Sequence, residues 1–134
     1  MALINQDEPE VLKSSTVKAS TPDGSMFFTI IENNGKPVGV DILIGKGGSS
    51  VQAWAQSLSR VITLALRNGV DISTVAEEIS NITSDRLAFN GDRAVRSVPD
   101  AIAQSILIYL ASKIPTIDRR RRRKGPTVFG EEVG

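Results

Sequence analysis

Cysteine and histidine are both absent from this 134-residue chain. Their absence removes disulfides, thiol redox chemistry and the two commonest zinc ligands together. A cysteine nucleophile and an imidazole base are equally excluded, so most nucleophile-and-base arrangements have no residues to build from. Only Asp and Glu remain for acid–base work or for an all-carboxylate metal site, and no catalytic residue, metal or cofactor is assigned. The apolar runs fall far short of the roughly 20 residues that span a bilayer. Met1–Glu10 has neither the basic region nor the apolar block of a secretory signal. A soluble, cytoplasmic protein without a membrane partner is expected, and it is read as a non-enzyme. Internal repeats are also missing.

What is present is close to a globular average: 40% hydrophobic and 23% charged residues. The length suits one domain with its own core and is too short for two. The formal charge of +1 conceals an asymmetry, because six adjacent cations, Arg119, Arg120, Arg121, Arg122, Arg123 and Lys124, leave 10 basic against 15 acidic residues elsewhere. Three regions follow: a flexible N-terminal arm over 1–13, an α+β domain over 14–115, and a basic, flexible tail over 116–134.

Within the domain, Thr16–Ala19 reads as a short strand, closed by the turn Thr21-Pro22-Asp23-Gly24. Met26–Ile31 and Val38–Ile44 flank Asn33-Asn34-Gly35-Lys36, and an Asn-Gly pair between β-rich runs predicts a hairpin. Val38, Val40, Ile42 and Ile44 alternate onto one face, which should cover a core, while Asp41 faces solvent. A first helix follows Gly45-Lys46-Gly47-Gly48, with Ser49 and Gln52 spaced as a capping box. Val51, Trp54, Ala55, Leu58, Val61, Ile62 and Ala65 form its predicted core face; Gln52, Gln56, Ser59, Arg60 and Thr63 form the polar side, and Asn68-Gly69 ends it. A second helix begins near Asp71 and buries Ile72, Val75, Ala76 and Ile79. Residues 83–96 read as a loop with a short strand over Arg93–Arg96.

A third helix takes Ser97 as N-cap, Pro99 in its first turn and Asp100 near its positive end. Its apolar residues, from Ala101, Ile102 and Ala103 through Ile106–Ala111 to Ile114, surround nearly the whole circumference. Such a helix is central to its domain or shared with a neighbouring chain, and in so small a domain a homo-oligomer built through Pro99–Ile114 is expected. The fold class is α+β: an antiparallel hairpin or sheet packed against two or three helices.

Two places could hold a ligand. The turn Lys46, Gly47, Gly48, Ser49 lies between strand and helix, where backbone N–H groups and the helix dipole favour an anion; the alternative is a tight turn that caps a helix. It lacks the spacing of a phosphate loop. Arg93, Arg96, Ser97 and Asp100 gather cationic and polar groups at another helix start, where the arginines could grip phosphate or carboxylate or simply pair with Asp92 and Asp100. Trp54 is read as core. The Arg119–Lys124 run would bind nucleic acid without reading sequence, or stay a solvated tail; no aromatic residues interleave with it to stack bases.

The hairpin with Asn34-Gly35-Lys36-Pro37, the Gly45–Gly48 turn, the segment Leu58–Val70 and Ser97-Val98-Pro99-Asp100-Ala101-Ile102-Ala103 occur here in an order that resembles the TSCPD domain, over roughly Ser25 to Leu110. That domain is best known as an appendage of adenosylcobalamin-dependent ribonucleotide reductases. The family takes its name from Thr-Ser-Cys-Pro-Asp, and here the corresponding residues are Arg96-Ser97-Val98-Pro99-Asp100, so Val98 stands in the cysteine's place. The resemblance also implies cysteines near the glycine turn and at Thr83, none of which is present. It therefore implies the fold and a capacity to bind, without thiol chemistry. The chain is far too short to hold a radical-generating barrel. Its partner would be a ribonucleotide reductase; the alternative is a nucleotide, or a nucleotide-derived signal, held between subunits.

Overall fold

The computed structural model describes residues 9–45 and 48–114. In chain order the elements are β1 (Lys13–Thr21), β2 (Gly24–Asn33), β3 (Lys36–Ile44), α1 (Ser49–Arg67), α2 (Ile72–Ile79), β4 (Ala88–Asn90), β5 (Arg93–Val95) and α3 (Val98–Ser112). β1, β2 and β3 form an antiparallel meander, and β4 and β5 form a separate two-stranded hairpin. This is a single α+β domain, as the sequence predicts.

β1 is longer than the expected Thr16–Ala19. It pairs with β2 over its whole length, from Lys13 opposite Glu32 to Thr21 opposite Gly24, because its polar residues lie on a solvated face where they oppose no core. Between β2 and β3, Asn34 and Gly35 have φ of 54° and 78°, the positive pair that a two-residue hairpin turn requires. The core face of the sheet is Met26, Phe28 and Ile30 from β2 with Val40, Ile42 and Ile44 from β3. Against it pack Ala55, Ile62 and Leu66 of α1, Ile72, Val75 and Ala76 of α2, Val95 of β5, and Ala101, Ile102, Ala103, Ile106 and Tyr109 of α3.

The short strand expected over Arg93–Arg96 is β5, and the stretch before it, read as loop, supplies its partner β4 to make a hairpin. It is fastened to the first sheet by Asn90, whose side-chain oxygen accepts from the Ser20 N–H at 2.9 Å and whose amide donates to the Ser20 carbonyl at 3.3 Å. One amide side chain thus occupies both backbone groups of an edge residue, as a neighbouring strand would. That long-range partner is invisible to local pattern.

α1 departs from the sequence reading in its rotation. β3 is an edge strand, and its outward N–H groups need acceptors. The Val40 N–H donates to Thr63 Oγ1 at 3.1 Å, the Ile42 N–H to Ser59 Oγ at 3.0 Å, and the Ile44 N–H to Gln52 Oε1 at 2.9 Å. The helix side predicted to face water is the one that lies along the strand. Gln52 is occupied there and closes no capping box; the N-cap is Gly48, with no side-chain cap. Trp54, predicted as core, is 75% exposed, and Val61 and Leu64 also face outward. At the far end Gly69 adopts φ of 87°, and the Gly69 and Val70 N–H groups bond to Leu66 and Ala65 carbonyls, a Schellman closure.

α3 is central to the domain. Ala101, Ile102, Ala103, Ser105, Ile106 and Tyr109 are buried, leaving Leu107, Ile108 and Ile114 exposed. The apolar circumference is thus mostly covered from within the chain.

Removing one edge acceptor should be measurable. Ser59→Ala strands a buried N–H at Ile42 and should destabilise the domain by about 1–2 kcal/mol in urea unfolding. Gln56→Ala, an exposed residue of the same stripe to which no β3 N–H donates, should change it by less than about 0.5 kcal/mol.

Candidate functional site

The segment Ser97–Asp100 shows why its residues are of these types. Ser97 Oγ accepts from the Asp100 N–H at 3.1 Å as the N-cap of α3 and donates to the Ile82 carbonyl at 2.6 Å. Pro99 occupies the first turn, where no N–H is required. Asp100 is 2% exposed. Its Oδ1 accepts from the Asn81 N–H at 2.8 Å, and its Oδ2 accepts from the Arg96 N–H at 3.0 Å and from Gln104 Nε2 at 3.2 Å. Ser97 and Asp100 therefore tie the connection after α2 to the start of α3. Asp100 receives the Arg96 backbone N–H, not an arginine side chain, and its carboxylate is turned inward.

The remaining position of that segment, Val98, opens onto a cleft of about 590 Å³ between α1 and the Ile82–Ser84 stretch. Trp54, Leu58, Val61, Ile82 and Pro99 make its walls strongly apolar, and Thr83 joins Val98 in the lining. Two positions where the resemblance implies cysteines thus meet in one cleft. At its mouth Arg86 donates to Asp23 Oδ1 at 2.9 Å, an ion pair on the surface. Trp54 was placed correctly on an apolar stripe, but its role at this cleft was missed because the stripe was assumed to be the core face.

The other predicted site residues do not converge on one place. Gly48 and Ser49 begin α1, whereas Lys46 and Gly47 lie outside the described residues, as does the basic run Arg119–Lys124. Arg93 lines a second cleft, of about 400 Å³, with Lys18, Asn90 and Asp92 between β1 and α3. Arg96 is held by its backbone: its carbonyl accepts from the N–H and Oγ of Ser84 at 2.9 and 2.7 Å. Among the described residues neither arginine forms an ion pair with Asp92 or Asp100.

A polar cluster that the sequence reading overlooked sits at the other end of the domain. Glu32 continues the inward alternation of Met26, Phe28 and Ile30 and is 6% exposed. Lys113 Nζ lies 2.7 Å from its Oε2, and the Tyr109 hydroxyl donates to the same oxygen. The Lys113 hydrogen bond, then that of Tyr109, holds the Glu32 pKa below its ordinary value against the opposing effect of burial. Burial and the carboxylate raise that of Tyr109. The signal was present: an acid at an inward strand position demands a donor, and Tyr109 and Lys113 lie one turn apart on α3. Among the described residues no group of three acidic side chains is placed to hold a metal ion, and no helix is long and apolar enough to cross a membrane.

A single α+β domain with an inward-facing acidic residue at the start of its third helix and no thiols is the class this geometry defines. The family model for the TSCPD domain matches residues 4–110, and the chain belongs to that family. Comparison with curated proteins and with solved structures gave no match.

The Glu32 cluster carries a pH signature. A carboxylate whose pKa is lowered by folding adds stability above its unfolded value, and that stability is lost as pH falls through the lowered one. Glu32→Gln should therefore reduce stability at pH 7 by about 1–2 kcal/mol. Urea unfolding at pH 7 and in acid checks this: the gap from the unaltered protein should shrink below about pH 4.

Proposed function

We propose that this chain is a non-catalytic TSCPD protein that works by binding, as a partner or regulator of ribonucleotide reductase. The observation that supports the reading is the cleft at Val98. Ser97, Pro99 and Asp100 retain the positions of the family's name and have structural duties, whereas the thiol's position is an aliphatic wall. Such a surface favours contact over electron transfer. The absence of cysteine and histidine points the same way. Sedimentation velocity of the protein mixed with an adenosylcobalamin-dependent ribonucleotide reductase should show a complex of micromolar affinity, about −8 kcal/mol. Two species that sediment independently at about 100 µM, tenfold above a Kd of about 10 µM, would overturn the reading.

A second reading has its own support. Lys18 and Arg93 bring two cations to the cleft between β1 and α3, a setting that suits the phosphate of a nucleotide or nucleotide-derived signal. A specific ligand should raise Tm with the logarithm of its concentration. In a thermal-shift panel of nucleotides, Arg93→Ala should abolish the rise. A rise that survives Arg93→Ala removes this lining from consideration.

A further inference from the structure

We infer that the exposed face of α1 is a docking surface for a second copy of this chain, paired antiparallel along the same helix. Val51, Trp54, Leu58, Val61 and Ala65 recur at alternating spacings of three and four, the seam that one helix offers another. Ordinary amphipathic helices turn such a seam inward. Here the bonds from β3 to Gln52, Ser59 and Thr63 turn the helix part of the way round, so that Trp54, at 75% exposed, and Val61 stand at the surface while Val51 and Leu58 stay half-buried against the core beneath them. Within the described residues Trp54 and Val61 remain exposed.

Charge and shape select the occupant. The only charged residues of α1 are Arg60 and Arg67, and helical spacing puts both on the shoulder away from the seam. An uncharged seam offers a charged partner nothing to pair with, and it brings no repulsion when it meets itself. An antiparallel register centred between Ser59 and Arg60 sets Trp54 against the partner's Ala65 and Leu58 against the partner's Val61. The largest side chain then meets the smallest, twice, by symmetry. A parallel pairing would set the two indoles on each other.

The contact is small. A helix of this length offers a strip about 28 Å long and about 10–12 Å wide. With the cleft floor of Ile82 and Pro99 beside it, each copy would bury about 500 Å², about 1,000 Å² in total, the size of weak and transient contacts. A contact this small suits a reversible dimer with dissociation in the micromolar range, and because it covers the Val98 cleft it competes for the same face with the reductase contact proposed above.

Sedimentation velocity of the full chain across about 1–200 µM should show monomer passing to dimer. Trp54 is the only tryptophan, so its emission should move to the blue over the same range. Trp54→Ala should raise the dissociation constant about thirty-fold, equal to about 2 kcal/mol, with an unchanged monomer circular dichroism spectrum. Leu107→Lys, at the exposed part of α3, should leave it unaltered. A monomer at every concentration overturns the inference. So does a dimer lost in Leu107→Lys and kept in Trp54→Ala, which would place the contact on α3. A monomer whose Trp54 emission is already blue would assign the face to another segment of the same chain.

Discussion

Three backbone N–H groups on the outer edge of β3 determine how the rest of the domain is assembled. An edge strand with unpaired donors is ordinarily completed by another strand, by water or by charged side chains that repel neighbours. In this protein α1 completes it, with one acceptor for each of Val40, Ile42 and Ile44. Two strand residues advance about 6.7 Å, and four helix residues advance about 6 Å. Ser59 and Thr63, four apart, therefore match Ile42 and Val40 with short hydroxyl side chains. Gln52 lies seven residues before Ser59, about 10.5 Å away along the axis, and its longer side chain makes up the excess to reach Ile44. The residue types along the helix follow from this mismatch in rise.

Helix rotation follows from those bonds, and the surface follows from the rotation. With Gln52, Ser59 and Thr63 held against the strand, Ala55, Ile62 and Leu66 close the core beside them, while Trp54 and Val61 are carried to the outside. The opposite wall of the resulting cleft is placed by an independent network, in which Ser97 holds the Ile82 carbonyl and Asp100 holds the Asn81 and Arg96 N–H groups. Buried polar groups of this kind are costly unless every one is paired. Both networks meet that condition, and the cleft between them is apolar because the polar side chains have been drawn inward to do it.

Much of the architecture was legible in the chain. The Asn34-Gly35 turn, the alternation on β3, the Ser97 cap, the Pro99 position and the Asn68-Gly69 stop are local signals with local causes, and each appears where the pattern puts it. The order of these segments also carried the family. What failed was non-local. Ser59 and Thr63 read as a solvated stripe because hydropathy does not register the hydrogen-bonding demand of a distant strand edge. Trp54 then went to the wrong side by default. Of the β4–β5 hairpin only the strand at Arg93–Arg96 was read; β4 escaped notice because a three-residue strand holds little pattern of its own and depends on Asn90 bridging to Ser20. At the predicted ligand positions, residue chemistry was read correctly for Ser97 as a cap. For Asp100 it gave no hint that three internal donors already engage the carboxylate.

The edge completion by α1 also limits how this lineage can drift. Individual acceptors along the helix can be exchanged, since Asn, Thr or Ser could each satisfy a neighbouring donor at modest loss. Adding or deleting one residue between Gln52 and Thr63 is different in kind: it would swing everything downstream by about 100° and put aliphatic groups where the strand needs oxygen. Gene-length changes should therefore collect in the connections around α1 and spare its interior, so that the helix keeps an almost fixed residue count while its composition varies.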